Sequence, residues 1–188
     1  MRLVVQIPCH NEAETIAETI KQVPRKIPGI DRVLVIIIDD ASDDGSGEIA
    51  RKNGADLVVR LNQRVGLAKA FLVGLEKAIE LGADIVVNTD GDNQYPGEEI
   101  PKLIKPIMKG EAEIVVGERR LKELKDYSVF RLFLQKLGSW FVGLLSGVEI
   151  KDAASGFRAF SREAGLRLSI LGRFSYTIES LIEAGRNQ

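Results

Sequence analysis

At 188 residues, 45% hydrophobic and 28% charged, the chain has a globular composition and is long enough for one domain with a substantial core. A net charge of −1 offers no bulk positive field to nucleic acid, and a single cysteine excludes an intramolecular disulfide and fits a reducing compartment. The apolar start, Met1 to Pro8, is too short for a signal peptide, and no run approaches the roughly 18 apolar residues of a membrane span.

Leu3 to Ile7 reads as a first strand stopped by Pro8. Glu12 to Val23 carries Ile16, Ile20 and Val23 at helical spacing, and Pro24 ends it. Arg32 to Ile38 is continuously apolar after its first residue, the pattern of a strand buried on both faces in a parallel sheet. The polar turn Asp39-Asp40-Ala41-Ser42-Asp43-Asp44-Gly45-Ser46 follows and leads into a short helix. Asp56 to Leu61 is a third strand, and Gly66 to Leu81 a helix with Leu67, Phe71, Leu75 and Ile79 four residues apart. The strand Ala83 to Val87, a helix from about Gly97 to Lys109 and the strand Glu113 to Val116 complete an alternation that predicts an α/β fold with a mainly parallel central sheet flanked by helices.

Beyond Gly117 the rhythm changes. Lys122 to Asp126 is a charged stretch, and Ser128 to Ser146 is a helix-like run with two readings. One is a core helix covering the sheet. The other is an amphipathic, membrane-facing segment with Arg131 and Lys136 toward lipid phosphate and Trp140 near the interface. Asp152 to Arg158 reads as a loop, followed by two short helices. No repeat, low-complexity tract or second domain is apparent, so residues 1–188 read as a single domain.

Three strands end in polar clusters: Pro8-Cys9-His10-Asn11-Glu12, Asp39-Asp40 and Asn88-Thr89-Asp90-Gly91-Asp92-Asn93-Gln94. Ligands of open parallel sheets bind outside the carboxyl ends of the strands. If these ends are neighbours they form one acidic rim, whose charges repel unless a cation or neutral donors such as ribose hydroxyls intervene. Asp90 and Asp92, one residue apart across Gly91, are hard oxygen donors suited to Mg²⁺ or Mn²⁺, with Gln94 as a further oxygen. The plain alternatives are a solvated Asp-Gly turn and helix caps at Asp39 and Asn11. Cys9 reads as a small buried side chain, and Lys69 as a surface charge.

Taken in order, Ile7-Pro8-Cys9-His10-Asn11-Glu12, Ile38-Asp39-Asp40-Ala41-Ser42-Asp43-Asp44-Gly45-Ser46, Asp90-Gly91-Asp92-Asn93-Gln94-Tyr95-Pro96 and Ser155-Gly156-Phe157-Arg158 resemble the family 2 glycosyltransferases. The likeness is closest to the branch of dolichol-phosphate mannose synthase and related polyprenyl-phosphate sugar transferases, and runs from Leu3 to about Ala184. It implies a GT-A fold, a GDP- or UDP-sugar donor, a divalent metal and a polyprenyl or dolichyl phosphate acceptor at the cytoplasmic membrane face. Pro8, His10, Asn11, Glu12, Ile38 and Asp40 would hold base and ribose, and Asp90, Gly91 and Asp92 the diphosphate. The metal would sit on Asp92, Asp90 and Gln94. Arg119, after a strand, and Arg131, facing the acceptor phosphate, join Asp92 as the catalytic set. Where the family usually has Tyr this chain has His10, expected to stack on or bond to the base.

A phosphate acceptor is already anionic near neutral pH, so no strong general base is required. A sugar hydroxyl acceptor would need one, with Glu179 and Asp152 as candidates. The family usually continues with another strand, so the close on Ala184-Gly185-Arg186-Asn187-Gln188 reads as a truncated end. Three rival readings stand beside this one. A sugar-nucleotide nucleotidyltransferase would want a glycine-rich basic loop after the first strand. A phospho-acceptor signalling domain would want a Lys after a late strand. A catalytically silent sugar-nucleotide-binding module would keep the site alone. No motif fixes sugar, base or oligomeric state.

Overall fold

The computed structural model describes residues 1–117 and 155–168. Six strands form one sheet in the order β3-β2-β1-β4-β6-β5. They are β1 (Arg2–Cys9), β2 (Arg32–Asp39), β3 (Leu57–Arg60), β4 (Ile85–Asn88), β5 (Ile114–Val116) and β6 (Arg158–Ser161). The pairs β1–β2, β1–β4 and β2–β3 are parallel, and β6 lies antiparallel between β4 and β5.

Five α-helices accompany the described strands: α1 (Ile16–Gln22), α2 (Ser46–Lys52), α3 (Leu67–Glu80), α4 (Ile100–Met108) and α5 (Arg162–Arg167). Strict alternation along β1 sends Leu3, Val5 and Ile7 into one core with Ile16 and Ile20 of α1, Ala50 of α2 and Ile104 of α4. Val4 goes to the opposite core with Phe71 and Leu75 of α3, where the Phe71 and Phe160 rings sit 5.7 Å apart. α5 lies on that second face, with Gly165 close to Leu75 of α3. The sheet is thus covered on both sides, as the unbroken apolar run of β2 predicts.

Three expectations are corrected. β1 does not stop at Pro8 but runs through it to Cys9, with Pro8 beside Ile38. Pairing of β1 with β4 has ended at Gln6–Asn88, so the missing N–H of Pro8 faces no strand on that side. The first helix begins at Ile16, not Glu12, because Asn11 takes a left-handed φ of 57° and the Glu12 carbonyl closes a turn by accepting from both Thr15 and Ile16 N–H groups. Arg158, read as the end of a loop, opens β6, and its side chain is fully buried. Gln6, Asn88 and Arg158 stand in register across β1, β4 and β6, a buried polar row at the carboxyl end of the parallel strands.

Candidate functional site

β2, β1 and β4 are neighbours, so the three polar strand ends do meet along one rim. The first two loops are laced together by hydrogen bonds. Asn11 N–H donates to Ser42 Oγ at 3.1 Å, Glu12 N–H to Ser46 Oγ at 2.8 Å and Ala13 N–H to Asp44 Oδ2 at 2.9 Å, while Asn11 Oδ1 accepts from Asp43 N–H at 3.0 Å. The turn that permits this puts Ala41 in the left-handed region at φ 56°. Burial works against the charge of Asp44, but hydrogen bonds from the Ser46 hydroxyl and from the Ala13 and Ser46 N–H groups outweigh it and hold that carboxyl below its ordinary range.

His10 Nδ1 lies 2.8 Å from the Asp40 carbonyl oxygen, so in the neutral ring Nδ1 donates and Nε2 remains as acceptor. The Asp40 carboxylate is buried and accepts from Val65 N–H at 2.7 Å and Gly66 N–H at 2.8 Å, which fixes the loop entering α3. Each of its oxygens keeps further lone-pair capacity. Ile38 faces the α3 core, where a Cβ on Gly74 would meet it at 3.0 Å, so its side chain is packing. Pro8 is buried in the strand and Asn11 is exposed. Cys9 is buried beneath the rim, and burial, reinforced by the Asp39, Glu12 and Asp44 carboxylates, pushes its thiol up to about 12, which leaves it protonated and inert.

The Asp90-Gly91-Asp92 loop closes onto these two. A Cβ on Gly91 would stand 3.3 Å from Cys9 Cβ and from Glu12 Cγ, so the loop lies directly against the Glu12 side chain. The Gly91 carbonyl accepts from Thr15 Oγ1 at 2.8 Å and Thr19 Oγ1 at 3.1 Å. Asp92 is half-buried, and its Oδ1 accepts from Gln94 N–H at 3.1 Å. Gln94 is exposed, and Asn93 between them is left-handed at φ 61°. Asp90 packs against Gly156, whose N–H donates to Tyr95 Oη at 3.0 Å and whose carbonyl accepts from Asn88 Nδ2 at 2.8 Å. The Tyr95 ring stacks on Phe157 with centroids 5.3 Å apart.

The structure therefore brings together Glu12, Asp40, Asp90, Gly91 and Asp92 as one continuous rim, with His10 bridging to Asp40. Arg119 and Arg131 lie outside the described residues, as do Asp152, Glu179 and the run from Ser128 to Ser146. Sequence reasoning missed Thr15 and Thr19 and the roles of Asn88 and Tyr95. The four-residue spacing of the two threonines was the available signal, since it places both on one helical face.

The donor set suits a hard divalent cation: two carboxylates one residue apart and an exposed amide. Among the described residues no group of three or more His, Cys, Asp and Glu side chains is placed to hold a metal ion. A cation here would need oxygens from a ligand, as Mg²⁺ sites built on one or two carboxylates and substrate phosphates do. Among the described residues no helix is long and apolar enough to cross a membrane.

Residues 4–165 match the family model for glycosyl transferase family 2. The chain is 32% identical over 208 residues to the UDP-N-acetylglucosamine–dolichyl-phosphate N-acetylglucosaminyltransferase of Methanococcus voltae, covering 97% of this chain and 79% of that one. It is 31% identical over 193 residues to the dolichol-phosphate mannosyltransferase of Pyrococcus furiosus, covering 97% of this chain and 53% of that one. Among solved structures, glucosyl-3-phosphoglycerate synthase of Mycobacterium tuberculosis in complex with Mn²⁺, UDP and glucosyl-3-phosphoglycerate is similar with a TM-score of 0.77 at 25% identity, over 99% of this chain and 66% of that one. The chain thus spans about half the length of the Pyrococcus protein and about two thirds of the solved synthase. The shared architecture is the GT-A fold expected from the motifs.

Proposed function

The chain belongs to glycosyl transferase family 2, and from that premise we propose that it moves a sugar from a GDP- or UDP-linked donor to a polyprenyl or dolichyl phosphate. The observation that carries this reading is the contact of Gly91 with Glu12, which joins the loop bearing Asp90 and Asp92 to the rim bearing His10 and Asp40. One ligand can then reach both: base and ribose along His10, Asn11, Glu12 and Asp40, at the strand ends carrying Pro8 and Ile38, and diphosphate at Asp90-Gly91-Asp92. The relatives named for dolichyl phosphate support the acceptor class, and the Mn²⁺ and UDP of the solved synthase support the donor and the metal.

Asp92, with Asp90 and Gln94, would hold Mg²⁺ or Mn²⁺, which when bound supplies positive charge to the departing diphosphate. Glu12 and His10 Nε2 offer acceptors to hydroxyl or base N–H groups and so orient the nucleoside. The acceptor phosphate needs no deprotonation near neutral pH, so the task of the remaining side chains is to gather anions, which suits Arg119 and Arg131. A single displacement at the anomeric carbon gives inversion. A lipid acceptor places the reaction at the cytoplasmic membrane face, with the chain peripheral to it.

The test is transfer of labelled mannose from GDP-mannose, or N-acetylglucosamine from UDP-N-acetylglucosamine, to dolichyl or undecaprenyl phosphate in detergent with Mn²⁺. A labelled lipid phosphate product is expected, abolished by EDTA. Binding of UDP or GDP without transfer to any lipid phosphate would favour the silent binding module, and no binding at all would overturn the donor site as well.

A further inference from the structure

The two hydroxyls on α1 that reach the Gly91 carbonyl are used in an unusual way. Thr15 is the N-cap of α1, where a threonine ordinarily accepts from the helix's own N–H groups, yet its side chain makes no cap bond. Thr15 Oγ1 instead lies 2.8 Å from the Gly91 carbonyl oxygen and 3.1 Å from Glu12 Oε2. Thr19, four residues on and 3% exposed, places its hydroxyl 3.1 Å from the same carbonyl and 3.1 Å from Thr15 O. A carbonyl oxygen has two lone pairs, and here each is offered a hydroxyl donor from one helix face.

That carbonyl belongs to the planar peptide joining Gly91 to Asp92, so fixing its oxygen fixes the plane from which the Asp92 side chain departs. Glycine at 91 brings no side chain to resist rotation of that unit, and a Cβ there would meet Cys9 and Glu12 at 3.3 Å. Among the described residues, Asp92 itself is held through its Oδ1 contact with Gln94 N–H, two residues along its own loop. Among the described residues, the tie from the Gly91–Asp92 peptide to a regular element is therefore the pair of threonine hydroxyls.

We propose that Thr15 and Thr19 are positioning residues that set the Gly91–Asp92 peptide, and through it the affinity of Asp92 for the divalent cation. The inference rests on the reading of Asp92 as a metal ligand. Neither hydroxyl touches the reacting atoms. Both act through Gly91.

The experiment measures the Mn²⁺ concentration at half-maximal thermal stabilisation, in the presence of saturating UDP or GDP, for the wild-type chain, Thr19→Val, Thr19→Ser, Thr15→Val and Thr15→Ser. Valine keeps the shape and removes the donor; serine keeps the donor. Losing one buried hydrogen bond to the peptide is expected to raise the Mn²⁺ midpoint roughly tenfold in each valine variant, with the serine variants close to wild type. Binding of UDP or GDP without metal is expected to change less than about twofold in the Thr19 variants, whose hydroxyl meets only Thr15 O and Gly91 O among the described residues. A wild-type response to Mn²⁺ with unshifted valine variants, even if their melting temperatures fall, overturns the positioning role alone. Serine variants as impaired as the valine ones also overturn it. A wild-type chain with no Mn²⁺ response overturns the metal reading and this inference together. Thr15 is half-exposed and outside the core, so its variants carry the test should Thr19→Val fail to fold.

Discussion

Gly156 and Asp90 are in direct contact, and the contact leaves no room for a side chain: a Cβ on Gly156 would stand 2.7 Å from Asp90 Oδ1 and 2.8 Å from Asp90 Cγ. The Gly156 peptide cannot retreat, because Tyr95 Oη holds its N–H and Asn88 Nδ2 its carbonyl. Gly156→Ala should therefore displace the Asp90 carboxylate, at a cost of about 1–3 kcal/mol of overpacking. Urea unfolding reads the stability change, and the Mn²⁺ midpoint with UDP or GDP should rise with it. A variant matching wild type in both would show that the Asp90 carboxylate is not pinned.

Tyr95 separates two contributions to the same clamp. Tyr95→Phe keeps the ring stacked on Phe157 but removes the oxygen that accepts from Gly156 N–H. The donor is buried, so leaving it without that acceptor should cost about 1–3 kcal/mol. Tyr95→Leu should cost more, since it also loses the aromatic pair, worth roughly 0.5–1.5 kcal/mol. Equal stability of Phe and Tyr at this position in urea unfolding would mean the hydroxyl holds nothing.

Much of the fold was legible because its signals are local. The apolar run of β2 and the four-residue spacing of Phe71, Leu75 and Ile79 in α3 are each contained in one segment. The rim followed from them, since chain order put three polar clusters at strand ends and a parallel sheet gathers such ends. What stayed hidden depends on partners distant in sequence. β6 has four residues, and pairs with β4 some 70 positions earlier, Asn88 opposite Arg158. A strand carrying a fully buried arginine breaks the apolar pattern by which buried strands are recognised, so its start read as loop. Glu12 was absorbed into a helix because helical periodicity cannot see the left-handed Asn11 that holds it out. Thr15 and Thr19 fit a helix equally well whether their hydroxyls meet water or Gly91.

Asp92 should divide function from stability. Its one hydrogen bond among the described residues is the Oδ1 contact with Gln94 N–H, and asparagine can keep an oxygen there. Asp92→Asn is thus expected to alter stability by no more than about 0.5 kcal/mol without metal. The same change removes the negative charge a divalent cation needs, so the Mn²⁺-dependent rise in melting temperature with UDP or GDP should disappear, because that rise reflects ligand binding to the folded state. A persistent Mn²⁺ response in Asp92→Asn would remove this residue from the metal set.

Cys9 gives the chain a defined alkaline weakness. Burial, with the Asp39, Glu12 and Asp44 carboxylates adding to it, raises the thiol to about 12 in the folded chain. Below the unfolded value, about 8.5, both states keep the proton and the contribution of Cys9 is fully present. Between there and about 12 the unfolded chain loses a proton that the folded chain retains. The unfolded state then binds fewer protons, so stability falls as pH rises, with a limiting slope near 1.4 kcal/mol per pH unit. Other alkaline titrations are common to wild type and Cys9→Ala, so the difference between the two isolates the thiol. In EDTA, urea unfolding from pH 7.5 to 10.5 should show any advantage of wild type over Cys9→Ala shrinking above about pH 8.5, and the native thiol should resist a disulfide reagent at pH 8 until the chain unfolds. Parallel pH curves for the two proteins, or rapid labelling of the native chain, would show that the thiol is not held protonated beneath the rim.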